Sequence, residues 1–267
     1  MSRPDRNAPE AGFTGNTGNK EELIGGRQAV LEALRSGKPR RVFMADGQRG
    51  PIINEITALA KKKGVPVEYL SRVDFNNAAG NITGNQGVSA VVPPFRYSSL
   101  ADVIVLAKSS EKIPFLLMLD HLEDPHNLGA VMRTADAAGV HGLIIPNHRA
   151  AAVTAAVRKV AAGAAERIPV AMVSNLNQAA GTLKAEGFWL YGAEAAGGEE
   201  HYRADYSLPL VLVIGSEGKG ISQLLRQNCD LILSIPMPGV ATGSLNVSAA
   251  AAVLIYATLA RREGWLP

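Results

Sequence analysis

Apolar residues along this chain fall into two periodic blocks, preceded by a stretch with no apolar rhythm. Residues 1–21 are rich in Gly, Asn, Pro and charge, the composition of a disordered tail. From Gly26 to Leu34 the apolar positions Val30, Leu31 and Leu34 share one side at helical spacing. Val42–Ala45 reads as a short strand, and a second helix runs near Ile52 to Lys63 with Gly64 as its stop. Val65–Leu70 and Val88–Val92 read as further strands, the latter ended by Pro93-Pro94. Alternating helices and strands over residues 22–96 predict a small α/β sandwich. Residues 97–112 read as a connection, with a linking helix over Tyr97–Lys108 and a polar break at Ser109–Lys112.

The second block, residues 113–267, is longer and more apolar. Its strand candidates are Phe115–Asp120, Leu143–Ile145, Phe188–Tyr191, Leu210–Ile214 and Leu231–Ile235. Helices are expected between and after them, over Leu128–Ala138, Ala152–Gly163, Leu176–Glu186, Ile221–Gln227 and Val247–Ala260. Near-continuous apolar strands alternating with helices imply a parallel sheet covered on both faces.

Composition narrows the chemistry only slightly. Hydrophobic residues make up 47% and aromatics 5%, so the cores are aliphatic and alanine-rich. A formal net charge of +3 suits an RNA partner without demanding one. The single cysteine, Cys229, excludes an internal disulfide and a Cys-cluster zinc site, and suits a small buried position. His121 and His126 flank Leu122-Glu123-Asp124-Pro125 at a spacing that matches no familiar metal motif, so no metal is expected. No stretch is long and apolar enough to span a bilayer, and the N-terminus has no signal-peptide centre, which predicts a cytoplasmic protein.

The Gly-rich segment Gly215-Ser216-Glu217-Gly218-Lys219-Gly220 follows a strand and precedes a helix. It is not a phosphate loop, because Ile221 stands where Ser or Thr would follow, and its glycines miss the dinucleotide spacing. Glu217 would also repel a phosphate at close range. A ligand without phosphate suits the loop better, since glycines let backbone approach a ligand closely. A tight turn with a solvated Glu217 accounts for this motif alone equally well.

Two further polar segments interrupt the apolar scaffold. One is Asn127-Leu128-Gly129-Ala130-Val131-Met132-Arg133-Thr134-Ala135, where Asn127 stands at a helix start. The other runs Ile235-Pro236-Met237-Pro238-Gly239 and then Ser244-Leu245-Asn246-Val247-Ser248, ahead of an Ala-rich helix. Taken singly, Asn127, Ser244 and Asn246 could be plain helix caps, and Arg133 a solvated residue. Taken together with Gly215–Gly218, and in this order, they resemble the SpoU (TrmH-like) family of SPOUT-class RNA 2'-O-ribose methyltransferases over residues 113–262. Ile24–Leu34 and Asn85-Gln86-Gly87-Val88 are similar to the substrate-binding domain of that family's ribosomal-RNA guanosine branch, where His is commoner than Asn85. The segment between Ile235 and Ser244 looks one residue longer than the family's usual spacing.

The resemblance implies an α/β sheet with a deep trefoil knot near the C-terminus, plus a small N-terminal RNA-binding domain. It implies S-adenosylmethionine bound in loops after Tyr191, after Ile214 and around Ile235 to Leu245, touching Gly192, Gly215, Ile235 and Leu245. Catalysis falls to Arg133, gripping a phosphate and stabilising a developing alkoxide, because a free arginine hardly deprotonates at neutral pH. Asn127, Ser244 and Asn246 would hold Arg133 and the ribose, and Glu217 would position the set or balance its charge. The implied assembly is a homodimer using the Val247–Ala260 helix, with each site completed by the partner. The implied substrate is a guanosine of large-subunit (23S) ribosomal RNA, with Arg27, Arg40 and Arg41 as phosphate contacts alongside Lys61, Lys62 and Lys63. A transfer-RNA enzyme, an antibiotic-resistance ribosomal methyltransferase and a catalytically silent assembly factor are the alternatives.

Overall fold

A computed structural model describes residues 22–37, 39–79, 84–195, 197–239 and 244–265. The expected N-terminal tail and the lengthened segment 240–243 lie outside the described residues.

The first unit is built from β1 (Glu22–Gly25), α1 (Arg27–Ser36), β2 (Arg41–Ala45), α2 (Pro51–Lys63), β3 (Val67–Leu70), α3 (Arg72–Ala78) and β4 (Val88–Val92). Helix α2 starts on a proline, whose missing N–H costs nothing there, and stops at Gly64 in the left-handed conformation (φ 64°). The four strands order as β1-β4-β2-β3, parallel only between β2 and β3. Ile24, Leu31, Leu34, Val42, Ile56 and Val88 form its core. Strand β1 and helix α3 are not foreseen from periodicity. Strand β1 has four residues and is defined by pairing with β4, while α3 buries only Phe75.

The second unit follows as α4 (Leu100–Lys108), β5 (Phe115–Leu119), α5 (Pro125–Ala137), β6 (Gly142–Pro146), α6 (Ala155–Ala161), β7 (Val170–Val173), α7 (Leu176–Ala185), β8 (Trp189–Glu194), β9 (Glu199–Glu200), β10 (Leu210–Ile214), α8 (Gln223–Asn228), β11 (Leu231–Ser234) and α9 (Val247–Arg262). Its seven strands order as β7-β6-β5-β10-β8-β11-β9, and every pairing is parallel. Alternate strand residues serve opposite faces. Leu117, Leu143 and Leu212 pack under α5, α6 and α9, whereas Leu116, Ile144 and Val213 pack under α4, α7 and α8. The segment connecting the units is therefore structural. Val103, Ile104 and Ala107 of α4 are buried against the sheet, and the Ser98 N–H donates to the Val170 carbonyl at 2.9 Å.

Ion pairs join the two units, beside Ala155 of α6, which packs against the first unit's core. Arg158 on α6 is 5% exposed, donates to Glu22 and to the Pro93 carbonyl at 3.2 Å each, and pairs with Glu166 at 3.0 Å. Arg167 bridges Glu32 of α1 (2.7 Å) and Asp136 of α5 (2.6 Å). Helix α9 is tied at both ends. Asn246 caps its start by accepting from the Ser248 N–H at 3.0 Å, and Arg262 donates to the carbonyls of Ile113, Pro114, Tyr206 and Leu208. Asn246 is thereby held at a set place beside the sheet.

Candidate functional site

The polar segments all lie at the carboxyl ends of β5, β8, β10 and β11, the side where open parallel sheets take their ligands. Beyond β10 the chain folds back on itself. Ser216 and Gly220 exchange backbone hydrogen bonds at 3.1 and 2.9 Å, and Gly218 and Gly220 take positive φ (78° and 65°). Gly215 sits beneath this turn. A Cβ there would lie 2.0 Å from the Gly220 carbonyl carbon, so only glycine lets the loop close.

Beyond β5, Asp124 caps α5 by accepting from the His126 N–H at 2.9 Å, which sets the phase of the helix and turns Asn127 inward. Asn127 is 7% exposed. Its Nδ2 donates to Glu217 Oε1 at 3.1 Å, and Asn246 Nδ2 donates to the same oxygen at 2.5 Å. Asn246 Nδ2 also lies 3.2 Å from Asn127 Oδ1. The three sequence motifs thus meet in one triad, two amides fixing one carboxylate.

Around the triad lie two adjoining cavities. The first, of about 770 Å³, is walled by the Gly215–Gly220 loop, Ile214, Ile235, Met237, Ser244, Leu245, Val247 and Leu254, with Ala193, Glu194 and Ala195 from the end of β8. Gly215, Ile235 and Leu245 line it as expected of ligand contacts. Gly192 does not. A Cβ at Gly192 would meet Cys229 Sγ and Ile221 at 2.9 Å, so its bare face serves packing between strand and helix. Gly192 lies inside β8, whereas Ala193, Glu194 and Ala195 stand at and beyond its carboxyl end, where the cavity opens. The second cavity, of about 410 Å³, is lined by Asp120, His121, Glu123, Asp124, Asn127, Arg149 and the far side of the same loop. None of Asp120, His121, Arg149, Glu194 or Met237 was singled out as a site residue from sequence.

Arg133 departs from its expected place. It follows Asn127 by six residues, which is about 120° around the helix. It is exposed, lines neither cavity, and no hydrogen bond or ion pair holds it among the described residues. Within one chain, Asn127, Ser244 and Asn246 do not grip it. Ser244 lies on the wall of the first cavity.

The expected RNA contacts lie on the first unit. Arg27 donates to Gln48 at 2.8 Å, with its Nε buried and unpartnered. Arg41 pairs with Glu68 at 3.3 Å and stands over the Phe43 ring, and the Arg40 N–H donates to the Val91 carbonyl. Burial pushes the Cys229 thiol up to about 12, so it is a protonated packing residue at neutral pH. Among the described residues no group of three or more His, Cys, Asp or Glu is placed to hold a metal ion, and no helix is long and apolar enough to cross a membrane.

Comparison with known proteins adds to this geometry. Residues 114–256 match the family described as SpoU rRNA Methylase, and residues 23–98 match the family described as RNA 2'-O ribose methyltransferase substrate binding. A Bacillus subtilis protein named for the TrmH family of tRNA/rRNA methyltransferases, YacO, is 41% identical over 246 residues, covering 91% of this chain and 97% of its own. Among solved structures, an AdoMet-bound rRNA methyltransferase from Sinorhizobium meliloti aligns with a TM-score of 0.73 at 25% identity, covering 92% of this chain and 88% of its own. The SpoU methyltransferase AviRb from Streptomyces viridochromogenes shares the fold, with a TM-score of 0.76 at 24% identity over 91% of each chain.

Proposed function

The chain belongs to the SpoU family of RNA methylases, and on that premise we propose that it transfers a methyl group from S-adenosylmethionine to a ribose 2'-hydroxyl, on a guanosine of large-subunit ribosomal RNA in the cytoplasm. The observation that carries this reading is the Asn127–Glu217–Asn246 triad standing at the junction of two cavities.

The first cavity fits the methyl donor. Its volume of about 770 Å³ lies within the range of small-molecule sites, roughly 300–1,000 Å³. Ile214, Ile235, Met237 and Leu245 offer apolar walls with backbone edges between them, which suit an adenine ring. Glu217 offers negative charge toward a cationic sulfonium, whereas Glu194 is paired with Arg226 at 2.7 Å, and Lys219 is the one basic residue among the lining residues described. The bound donor supplies an already activated methyl group. The chain's own work is to align the hydroxyl with it and to manage one proton. Glu217, fixed by two amides, holds a directed negative charge at the junction. Loss of Glu217 leaves the buried Asn127 amide without its acceptor. Glu217→Ala is therefore expected to lose about 1–3 kcal/mol of stability in a thermal melt, and to lower methyl transfer by roughly 100-fold in a tritium-transfer assay.

Arg133 stabilises the developing alkoxide and a neighbouring phosphate, and reaches the site from a second copy of the chain. Its exposure on α5, beside α9, supports this arrangement. So does the outer face of α9, where Ala249, Val253 (38% exposed) and Tyr256 (44% exposed) present an apolar stripe. Val253→Asp is expected to yield an inactive monomer by light scattering with in-line size separation; an active monomer would refute the homodimer. The placement of β10 between β5 and β8, with β11 beyond β8, supports a trefoil-knotted path for the chain. Arg27, Arg40 and Arg41 are assigned phosphate contacts that orient the RNA.

Mapping ribose methylation in cells lacking this gene decides the substrate. Loss of one 2'-O-methylguanosine in large-subunit ribosomal RNA is the expected result. Loss in a transfer RNA instead would overturn the ribosomal assignment, and an unchanged map would overturn the activity.

A further inference from the structure

We propose that the second cavity seats the acceptor nucleoside, and that His121 is the residue that reads it. This rests on the 2'-O-methyltransferase reading above and extends it to His121, to which the resemblance gives no role.

The two cavities share Ser216, Glu217, Lys219 and Gly220, so the Gly-rich loop is a common wall. A donor on one side and an acceptor on the other would meet at Glu217, which is the proximity that group transfer requires. The cavity of about 410 Å³ is large enough for a nucleoside, since small-molecule sites run from roughly 300 Å³ upward.

His121 is set in place with unusual constraint. Its φ is 55° and that of Arg149 is 51°; these are two of the four non-glycine residues with positive φ among the described residues, and both face this cavity. Backbone conformations of that kind persist where the surroundings enforce them, and they gather at functional sites. The enforcing group is Asp120. Its carboxylate is fully buried, with Oδ1 bonded to His121 Nδ1 and Oδ2 accepting from the Ser222 N–H at 2.7 Å. The Asp120 N–H donates to the Ile214 carbonyl at 2.8 Å. Asp120 therefore ties His121 to both ends of the Gly-rich loop and is a positioning residue. In the neutral ring, a carboxylate on Nδ1 selects the tautomer with its proton there and leaves Nε2 as an acceptor.

The lining chemistry selects the ligand. His121 Nε2, Glu123, Asp124 and Glu217 are acceptors, which match the hydroxyl, amino and imino donors of a nucleoside and repel a phosphate. Arg149 and Lys219 supply the positive charge that would hold the flanking phosphates at the rim.

The test uses the full-length protein, tritiated S-adenosylmethionine and bulk RNA from cells in which this gene is deleted. His121→Ala is expected to raise KM for RNA by about tenfold or more, the usual penalty for a lost polar contact. Donor affinity by calorimetry and oligomeric state should stay as in the parent, while the melting temperature falls because Asp120 Oδ1 loses its partner. His121→Gln, which keeps an acceptor, should recover part of the loss. An unchanged KM, or a KM change that tracks weakened donor binding or dissociation of the assembly, overturns the seat. If the parent protein binds donor and methylates no RNA, the 2'-O reading fails by itself. The seat is then judged separately by ligand-detected NMR with guanosine as the probe, where a signal unchanged by His121→Ala overturns it.

Discussion

Gly215→Ala is expected to weaken binding of S-adenosylmethionine by up to about 150-fold while leaving the N-terminal unit folded. The added methyl group would lie 2.0 Å from the Gly220 carbonyl carbon and 2.3 Å from both the Gly220 oxygen and the Ile221 nitrogen. All three are backbone atoms, so no side-chain rotation relieves the clash. The Ser216–Gly220 hydrogen bonds that close the loop must open instead. That loop walls the first cavity and carries Glu217, so donor affinity and the triad fail together. Overpacking of this kind costs about 1–3 kcal/mol, and calorimetry should show donor affinity down by about 5- to 150-fold, the same free energy as a ratio. Gly181→Ala on α7 is the control. Nothing stands within 4 Å of its would-be Cβ, so it should bind donor normally. Exchanging a glycine for alanine inside an exposed helix should raise stability by about 0.4–1 kcal/mol.

Arg133→Ala is expected to behave in the opposite way, with donor affinity intact and turnover reduced by roughly 10²–10³-fold, the usual loss when a transition-state donor is removed. Donor affinity survives because Arg133 lines neither cavity of its own chain. The two variants together test where Arg133 acts. In a homodimer completed in trans, a protomer with an intact loop but no Arg133 is rescued by a partner with Arg133 but a ruined loop. An equal, re-equilibrated mixture of the two inactive variants should then regain about a quarter of the parent activity, since half the dimers are mixed and each has one complete site. A mixture that stays inactive would place Arg133 in the site of its own chain.

Much of the scaffold is readable one segment at a time. Strand β5 is apolar at each of its five positions and is buried at all of them, as a central parallel strand must be. Helix α2 announces both ends, with Pro51 at its start and Gly64 after it. The elements that escape are short or marginal. Strand β7 has four residues and β9 two, and each exists because a neighbouring strand offers its edge. The site shows the same division. Asn127, Glu217 and Asn246 stand out as polar residues on apolar scaffolding. Gly192, expected from the resemblance as a backbone contact, lies inside β8 off the cavity wall, and a Cβ there would meet Cys229 and Ile221.

The chain by itself therefore determined the longer strands and helices and set three polar motifs apart from the apolar scaffold. Periods, caps and glycines act through neighbours in sequence, so they are written locally. Only the tertiary structure decided that those motifs meet. Strand β10 lies between β5 and β8, which brings Glu217 within 3.1 Å of Asn127 across 90 residues of chain, and α9 brings Asn246 to the same oxygen. Strand order is chosen by the packing of whole faces against one another, and no local pattern encodes it. The same packing buried Asp120, which holds the adjacent His121 at the second cavity, and left Arg133 exposed on the outside of α5.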